Sequence, residues 1–309
     1  MQTTLDPKLL DEIQALKERR HAVILAHNYQ PADIQDLADF CGDSLGLSIQ
    51  ASKTEAETIV FCGVRFMAET AKILSPEKTV LLPEQRAGCP MAEMITAEQL
   101  RDLKAKHPEA LVVCYVNSTA EVKAESDYCC TSANAVAVVR SLPKDRQIIF
   151  VPDQHLGRFV ETQTGRHLIL WPGYCTTHVL ISEDEIRRAR EKYPDALVIT
   201  HPECSEPVKE MSDALLSTGQ MLTFVKASSA KRFIVATEIG MIHPLRKACP
   251  EAEFVPASPR GVCENMKKIT VDKVQVALAE LQYQVVVPEE IRHKAARALQ
   301  RMVEILPEK

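Results

Sequence analysis

The sequence predicts an α/β protein of three homologous α/β/α domains, whose small parallel sheets are arranged around a pseudo-threefold axis with the active site at the central interface. The 309-residue chain repeats with a period of 86 to 88 residues. Each repeat alternates amphipathic helices with short apolar strands, the pattern of parallel sheets covered on both faces. Matching polar residues follow the strands of each repeat, at the edge where such sheets bind ligands.

The composition is that of an ordinary globular protein and narrows the class of partner. The chain is 46% hydrophobic and 26% charged, which excludes intrinsic disorder. Its net charge of −5 argues against nucleic-acid binding, because that needs a cationic surface. The chain has neither an apolar run long enough to span a membrane nor the regions of a signal peptide. We therefore predict a cytoplasmic protein with no nucleic-acid or membrane partner.

Each repeat opens with an amphipathic helix. The three segments are DPKLLDEIQALKERRHA, TAEQLRDLKAKHPEA and SEDEIRRAREKYPDA. Thr96 and Ser182 are the expected N-caps of the second and third segments, because Glu or Asp follows them. The prolines of HPEA and YPDA are expected to end those two helices.

Three predicted strands follow in each repeat, separated by helices. The first strands are AVILAHNY, LVVCYVNS and LVITHPEC. A second helix (QPADIQDLADF, STAEVKAESDY, SEPVKEMSDAL) leads to a small-residue turn and a third helix. The second strands are TIVFCG, QIIFVP and RFIVAT, and after another helix a third strand leads to a cysteine. Near-continuous apolar runs of this length are typical of buried parallel strands.

These repeats define the predicted domain organisation. The boundaries are 1–94, 95–180 and 181–264 for the three repeats, and 265–309 for a C-terminal helical segment that packs on them. The C-terminal segment contains two helical patterns, VDKVQVALAELQ and EEIRHKAARALQRMVEIL.

The first strand of each repeat ends in a polar side chain. The three positions lie 88 and 86 residues apart: His27, Tyr115 and His201. Two residues later each repeat has another polar side chain, namely Tyr29, Asn117 and Glu203. A threefold arrangement brings these side chains to one cavity, where such groups serve acid–base catalysis or substrate binding.

Hydroxyl side chains follow the same register. Ser44, Ser132 and Thr218 each lie 17 residues beyond the residue that ends the first strand. They are candidate helix N-caps and, together with the N–H groups of a helix N-terminus, candidate binding groups for carboxylate or phosphate, and the two roles can coexist. Asp153 and Glu238, near the ends of second strands, are equally compatible with helix caps and with catalytic groups.

Three of the ten cysteines occupy equivalent repeat positions. Cys89, Cys175 and Cys263 lie 62, 60 and 62 residues beyond the first strand ends, in non-strand contexts. The other seven are interpreted as small buried hydrophobic residues. Three thiolates that meet at one point suit a soft metal centre. Zinc with a further ligand and a [4Fe–4S] cluster with one open iron site both remain compatible with this pattern.

Several sequence blocks, in collinear order over nearly the whole chain, resemble quinolinate synthase. They are HNYQ…GDS (27–44), GVRFMAETAKIL (63–74), AGCPMA (87–92), YVNS…TSAN (115–134), GYCTTH (173–178), HPEC (201–204), STGQM (217–221), ATEIGM (236–241) and CENMKK (263–268). The resemblance implies the pseudo-threefold fold. It also implies condensation of iminoaspartate with dihydroxyacetone phosphate, with loss of phosphate and two waters, to form quinolinate for NAD biosynthesis.

The resemblance also implies site residues, matched motif by motif. A [4Fe–4S] cluster would be bound by Cys89, Cys175 and Cys263. The implied catalytic residues are His27, Tyr29, Tyr115, His201 and Glu203. The implied substrate-binding residues are His27, Ser44, Tyr115, Asn117, Ser132, His178, His201, Glu203, Ser217 and Thr218. Because iminoaspartate hydrolyses in water, transient contact with an aspartate-oxidising enzyme is a further expectation.

Three alternatives compete with this interpretation. The same three-domain plan fits a diphthamide-biosynthesis-like radical enzyme that uses a [4Fe–4S] cluster and S-adenosylmethionine. An iron–sulfur sensor is a second alternative, although the sequence contains no evident effector surface. A zinc-stabilised structural protein is the third, and its metal would be colourless where a cluster is brown.

Overall fold

Three four-stranded parallel sheets form the framework of the computed structural model, which describes residues 6–307. With the four strands of each domain numbered along the chain, the order across each sheet is second, first, third, fourth. The three sheets thus repeat one topology, and helices connect their parallel strands. The prediction of three α/β/α domains with small parallel sheets is confirmed. Residues 1–5 and 308–309, at the outer ends of the predicted first domain and C-terminal segment, lie outside the described residues.

The first sheet and its helices use only residues from the first predicted repeat. In chain order the elements are α1 Pro7–Arg19, β1 Ala22–His27, α2 Ala32–Leu37, β2 Phe40–Gly42, α3 Ser44–Lys53, β3 Thr58–Cys62, α4 Arg65–Leu74 and β4 Thr79–Leu81. Helix α1 begins where Asp6 accepts the N–H of Lys8 and Pro7 occupies the first helical position. A 3₁₀ turn, Pro90–Glu93, follows the first repeat-matched cysteine.

The second domain repeats this order. Its elements are α5 Ala97–Lys106, β5 Leu111–Tyr115, α6 Ala120–Ala124, β6 Tyr128–Cys130, α7 Ala135–Ser141, β7 Ile148–Val151, α8 Gln154–Thr164 and β8 Ile169–Leu170. Thr96 caps α5 in a reciprocal capping box with Gln99, as the sequence predicts. Helix α5 ends at Lys106, two residues before Pro108, also as predicted.

The third domain has the same plan. Its elements are α9 Glu183–Lys192, β9 Leu197–Thr200, α10 Glu206–Glu210, β10 Ala214–Leu215, α11 Thr218–Ala227, β11 Arg232–Ala236, α12 Ile242–Ala248 and β12 Glu253–Pro256. Ser182 caps α9 in a capping box with Glu185, and α9 ends at Lys192, before Pro194.

Each described sheet contains one strand more than the sequence predicts. The additional edge strands are β2, β6 and β10, which pair in parallel with the first strand of their domain. Sequence analysis assigned these residues to the second helix and the turn after it. Strands of two or three residues are too short to display a period of two, so only pairing with the neighbouring strand defines them.

The C-terminal segment packs on the first two domains. Its helices are α13 Val271–Glu280, which contacts α1, and α14 Glu289–Glu304, which contacts α4, α6 and β6. Between them, the backbone of Tyr283 exchanges hydrogen bonds with that of Leu82, and Val285 donates to Val80. The connection therefore runs along β4 and covers the edge of the first sheet.

None of the helices formed by residues 6–307 is both long enough and apolar enough to cross a membrane. The strands are buried, and the polar residues that follow them lie at the carboxyl ends of the strands. This edge of each sheet faces a shared central cavity.

Candidate active site

The central cavity lies at the carboxyl ends of strands from all three sheets and has a volume of about 740 Å³, including its open mouth. Side chains from three domains meet there because parallel strands deliver their last residues to the same edge of a sheet. The predicted site residues that line it are His27, Tyr29, Ser44, Cys89, Tyr115, Asn117, Ser132, Cys175, His178, His201, Glu203, Thr218 and Cys263.

Ser217 lies behind the cavity wall and caps a helix. Its hydroxyl accepts the N–H of Gln220 at 3.3 Å, and the side-chain oxygen of Gln220 accepts the N–H of Ser217 at 2.9 Å. This reciprocal pair is a capping box at the start of α11. The position that faces the cavity belongs to the next residue, Thr218.

A charged cluster centres on Glu203, whose side chain is buried. The hydroxyl of Tyr115 donates to Oε1 of Glu203 at 2.5 Å. Nδ1 of His178 lies 2.7 Å from Oε2, and Nδ1 of His201 lies 3.8 Å from the same oxygen. The rings of His178 and His201 stack with centroids 4.7 Å apart. Residues from two domains therefore surround one carboxylate.

The surroundings of the cavity side chains shift the pKa values of Glu203, His27 and His201. Burial by itself would raise the pKa of Glu203, but His178 and His201, with the hydrogen bond from Tyr115, hold it below its usual range. Burial lowers the pKa of both His27 and His201 to about 3. At neutral pH the cavity thus holds the ionised carboxylate of Glu203 and the neutral imidazoles of His27 and His201, and such a carboxylate can accept a proton.

Two hydroxyls extend the cluster towards the first domain. The hydroxyl of Tyr29 lies 2.6 Å from Oγ1 of Thr237, and Nε2 of His178 lies 2.8 Å from the same oxygen. Burial raises the pKa of Tyr29 well above its ordinary value, and the charge of Glu203 adds to this effect. Tyr29 is therefore a neutral hydrogen-bonding group at the cavity wall.

The predicted anchoring hydroxyls occupy positions just inside helices or turns. Ser44 and Thr218 are the first residues of α3 and α11, while the N-caps are Asp43 and Ser217. Oγ1 of Thr218 accepts a hydrogen bond from the amide of Asn28 at 3.0 Å. Ser132 lies 3.1 Å from Nε2 of His201. The N-cap interpretation of Ser44 and Thr218 was therefore wrong by one position, and their side chains face the cavity.

The three repeat-matched cysteines sit in equivalent turns. In each turn the sulfur accepts the backbone N–H groups of the residues two and three positions later. All three thiols are half-buried. Burial raises the pKa of Cys89 to about 12 and raises the pKa of Cys175 and Cys263 as well. Sγ of Cys175 also lies 3.1 Å from Nδ1 of His178, which joins the cysteines to the charged cluster.

The side-chain oxygen of Asn117 is buried, lies at the cavity and has no hydrogen-bond partner within the described residues. An unpaired buried acceptor costs stability, about 1–3 kcal/mol in typical cases. This oxygen is therefore available to accept a hydrogen bond from a ligand in the cavity.

Asp153 and Glu238 both cap helical turns. Oδ1 of Asp153 accepts the N–H of Leu156 at 2.7 Å, and Oε2 of Glu238 accepts the N–H of Gly240 at 2.7 Å. Glu238 does more, because its Oε1 accepts the N–H of Cys263 at 3.1 Å and pairs with Lys267 at 2.8 Å. It thus lies at the cavity and orients the third cysteine turn.

Sequence reasoning missed Thr237 and Asp43. Thr237 directly follows β11, but a single threonine there resembles many buried residues. Asp43 precedes Ser44 and carried no signal beyond that of a helix cap. Both become evident only when the domains are assembled.

Comparison with known proteins agrees with this geometry. The family model described as Quinolinate synthetase A protein matches residues 11–304. A quinolinate synthase of Dehalococcoides mccartyi strain CBDB1 is 56% identical over 295 residues, covering 96% of this chain and 97% of the relative. One of Desulforudis audaxviator is 52% identical, covering 97% and 99%, and one of Methanoregula boonei is 51% identical, covering 96% and 97%. The chain therefore belongs to the quinolinate synthase family of enzymes.

Proposed function

We propose that this protein condenses iminoaspartate with dihydroxyacetone phosphate to form quinolinate, one phosphate and two waters. The observation that carries the proposal is the cavity itself. Three equivalent cysteine turns, one per domain, face the same space as the carboxylate of Glu203 and the imidazoles of His27 and His201. The relatives that are named quinolinate synthase support the same reaction.

The cysteine turns fit a [4Fe–4S] cluster. Pairs of N–H groups directed at each sulfur stabilise the thiolate, the form that binds metal. A bound metal also deprotonates a thiol whose pKa is otherwise high. Cys89, Cys175 and Cys263 would hold the cluster and leave one iron without a cysteine. When bound, the cluster supplies Lewis acidity towards substrate oxygens.

The residues around Glu203 are suited to moving protons during condensation and dehydration. Glu203 is ionised and accepts a proton from the substrate, and the hydroxyl of Tyr115, 2.5 Å away, is the adjacent donor. His201 is neutral and, with Ser132 at 3.1 Å, binds a polar substrate group. The unpaired oxygen of Asn117 accepts a hydrogen bond from the substrate.

We infer a cytoplasmic location and a transient partner from the same chemistry. All ten cysteines, which lie within the described residues, are free thiols, as expected in a reducing compartment. Iminoaspartate is an imine and hydrolyses in water. A rapid supply from an aspartate-oxidising enzyme in transient contact would limit that loss.

Anaerobic purification, iron and sulfide analysis and a quinolinate assay test the proposal. Iminoaspartate is generated in situ and dihydroxyacetone phosphate is added. We expect about four irons and four sulfides per chain, as for one cubane cluster, and quinolinate formation. Cys89→Ala should lose both cluster and product. Cys249→Ala is the matched control, because Cys249 is buried at the end of α12, outside the cavity wall.

Other outcomes would contradict the proposal in distinct ways. A colourless zinc protein without quinolinate formation would favour a zinc-stabilised structural role. A cluster-containing protein that cleaves S-adenosylmethionine and forms no quinolinate would favour the radical enzyme. A cluster that survives in Cys89→Ala would overturn the ligand assignment alone.

A further inference from the structure

Asp43 lies in the cavity wall at the start of α3 and caps that helix. Its Oδ1 accepts the N–H of Gly46 at 2.8 Å, and the N–H of Leu45 donates to the same carboxylate. A capping aspartate is common at a helix start, and these bonds satisfy N–H groups of the first turn that have no partner within the helix.

The same carboxylate reaches the third domain. Gly219, the second residue of α11, lies against this carboxylate, and its N–H faces Asp43. A Cβ atom added to Gly219 would lie 2.5 Å from Oδ2 of Asp43, closer than real Cβ contacts allow. Glycine at this position is therefore what permits the approach. One carboxylate thus lies against the first turns of two helices in two domains.

These two helices begin with two of the hydroxyls at the cavity. Ser44 is the first residue of α3 and Thr218 is the first residue of α11. Ser44 directly follows Asp43 and Thr218 directly precedes Gly219, so both hydroxyl residues adjoin this contact. Asp43 occupies helix N-terminal N–H groups as well, which leaves the side-chain hydroxyls to contact a ligand.

Ser132 is held differently. It lies in a turn that closes on itself, where Oδ1 of Asn134 accepts the N–H of Thr131 at 2.8 Å. The amide nitrogen of Asn134 donates to the carbonyl oxygens of Met302 at 2.9 Å and Ile305 at 2.7 Å. The C-terminal segment therefore positions this third hydroxyl, and the Asp43 bridge acts on the other two alone.

We propose that Asp43 is a positioning residue that bridges α3 and α11 and thereby sets the spacing of Ser44 and Thr218 for an anionic group of the substrate. Asp43 itself transfers no proton. The kinetic part of this inference rests on the proposed function, whereas the bridge itself does not. The two parts therefore need separate measurements.

Asp43→Ser separates the bridge from the helix cap, because serine caps a helix as well as aspartate but is too short to reach Gly219. We expect hydrogen–deuterium exchange at the Gly219 amide to accelerate about tenfold, with exchange at Gly46 and the melting temperature unchanged. We expect KM for dihydroxyacetone phosphate or iminoaspartate to rise about tenfold, the factor typical of a displaced hydrogen bond to a charged group, with kcat within about twofold. Asp6→Ser is the matched control, because Asp6 caps α1 at the surface.

Gly219→Ala changes the residue of α11 that lies against Asp43. Alanine favours the helix, yet its methyl group would displace Oδ2 of Asp43, so KM should rise as in Asp43→Ser. In the Asp43→Ser background the same alanine should have no further effect, because the carboxylate is gone.

The two parts fail in different ways. Unchanged exchange at Gly219 in Asp43→Ser, or independent effects of the two substitutions, would overturn the bridge. A wild-type protein that makes no quinolinate would overturn the proposed function, while exchange at Gly219 would still decide whether the bridge exists. Accelerated exchange with unchanged KM values would show a structural bridge and refute its role in substrate positioning.

Discussion

At the position two residues after the predicted end of the first strand, the third domain has the charged Glu203, whereas the first and second domains have the neutral Tyr29 and Asn117. After the first strand, the backbone turn is the same in the first and third domains. The N–H of Tyr29 donates to Nδ1 of His27 at 3.2 Å, and the N–H of Glu203 donates to Nδ1 of His201 at 3.3 Å. The side chain at the end of this turn is a neutral tyrosine in one domain and a carboxylate in the other. Repetition of the fold thus repeats the geometry, and substitution within it makes one wall of the cavity anionic.

A second pair of equivalent positions shows the same difference. The opening helix of the second domain has a capping box of Thr96 with the neutral Gln99, whereas that of the third has Ser182 with Glu185. Glu185 also binds the guanidinium of Arg260 at 2.9 Å. The charged version therefore ties its helix to the segment before the third cysteine, while the neutral version satisfies only its own helix end.

The largest expected effect is that of Glu203→Gln. This substitution puts a neutral side chain at the turn after the first strand of the third domain, where the first domain has the neutral Tyr29. Glutamine keeps the shape but cannot accept the proton, so kcat should fall about 10²- to 10⁴-fold. Steady-state quinolinate formation measures this. Iron content should match the wild type, and full turnover would remove Glu203 from the acid–base role.

Glu185→Gln tests the second charged position through stability. Burial by itself would raise the pKa of Glu185, but Arg260, Ser182 and Ser258 lower it to about 2 from an ordinary 4.5. A depressed carboxyl pKa stabilises the fold above the ordinary value, and this stability is lost as the pH falls towards 2. Because Arg260 is exposed and solvent screens the pair, the variant should lose on the order of 1 kcal/mol of unfolding free energy at pH 7, and less at pH 3.

Urea unfolding at both pH values measures this difference. Because glutamine occurs naturally in the capping box of the second domain, the helix cap itself should survive the substitution. An equal loss at pH 7 and pH 3 would mean that the charge of Glu185 contributes nothing and that the amide merely packs poorly.

The two tyrosines sharpen the comparison on a smaller scale. Tyr115 donates to the charged Glu203, whereas Tyr29 bonds the neutral Thr237. Hydrogen bonds to charged groups are stronger, so Tyr115→Phe should lower kcat/KM about 30-fold and Tyr29→Phe about 5-fold. Kinetics of the two variants side by side measure the ratio. An equal or reversed effect would show that the charge does not control this wall of the cavity.

The smallest expected effect is that of Gln99→Glu, which gives the second domain the charged capping box of the third. Gln99 is exposed, and its side chain bonds the backbone of Thr96. A carboxylate at a helix N-terminus should add about 0.3–0.5 kcal/mol of unfolding free energy at low salt. A gain as large as the loss in Glu185→Gln would mean that the ion pair with Arg260 is unimportant.

Local sequence was sufficient for the elements that rest on local physics. Capping residues and prolines bounded α5 and α9, and apolar runs marked the buried strands, because helix ends and strand burial depend on residues close in the chain. Repeat register also brought His27, Tyr115 and His201 to one cavity. The edge strands β2, β6 and β10 were missed, since two or three residues carry no periodic signal.

The contacts within the site depend on residues that are far apart in the chain. His178 meets Glu203, Thr237 meets Tyr29, and Asp43 meets Gly219, each across a domain boundary. No local pattern encodes such pairs, because the partners lie far apart in the chain and meet only when the domains pack. By itself the sequence determined the repeated fold, the three cysteine positions and the polar residues at the strand ends. The tertiary structure alone decided which of these side chains are hydrogen-bonded to one another, which remain neutral and what lies against their helix ends, since burial and cross-domain contact set those properties.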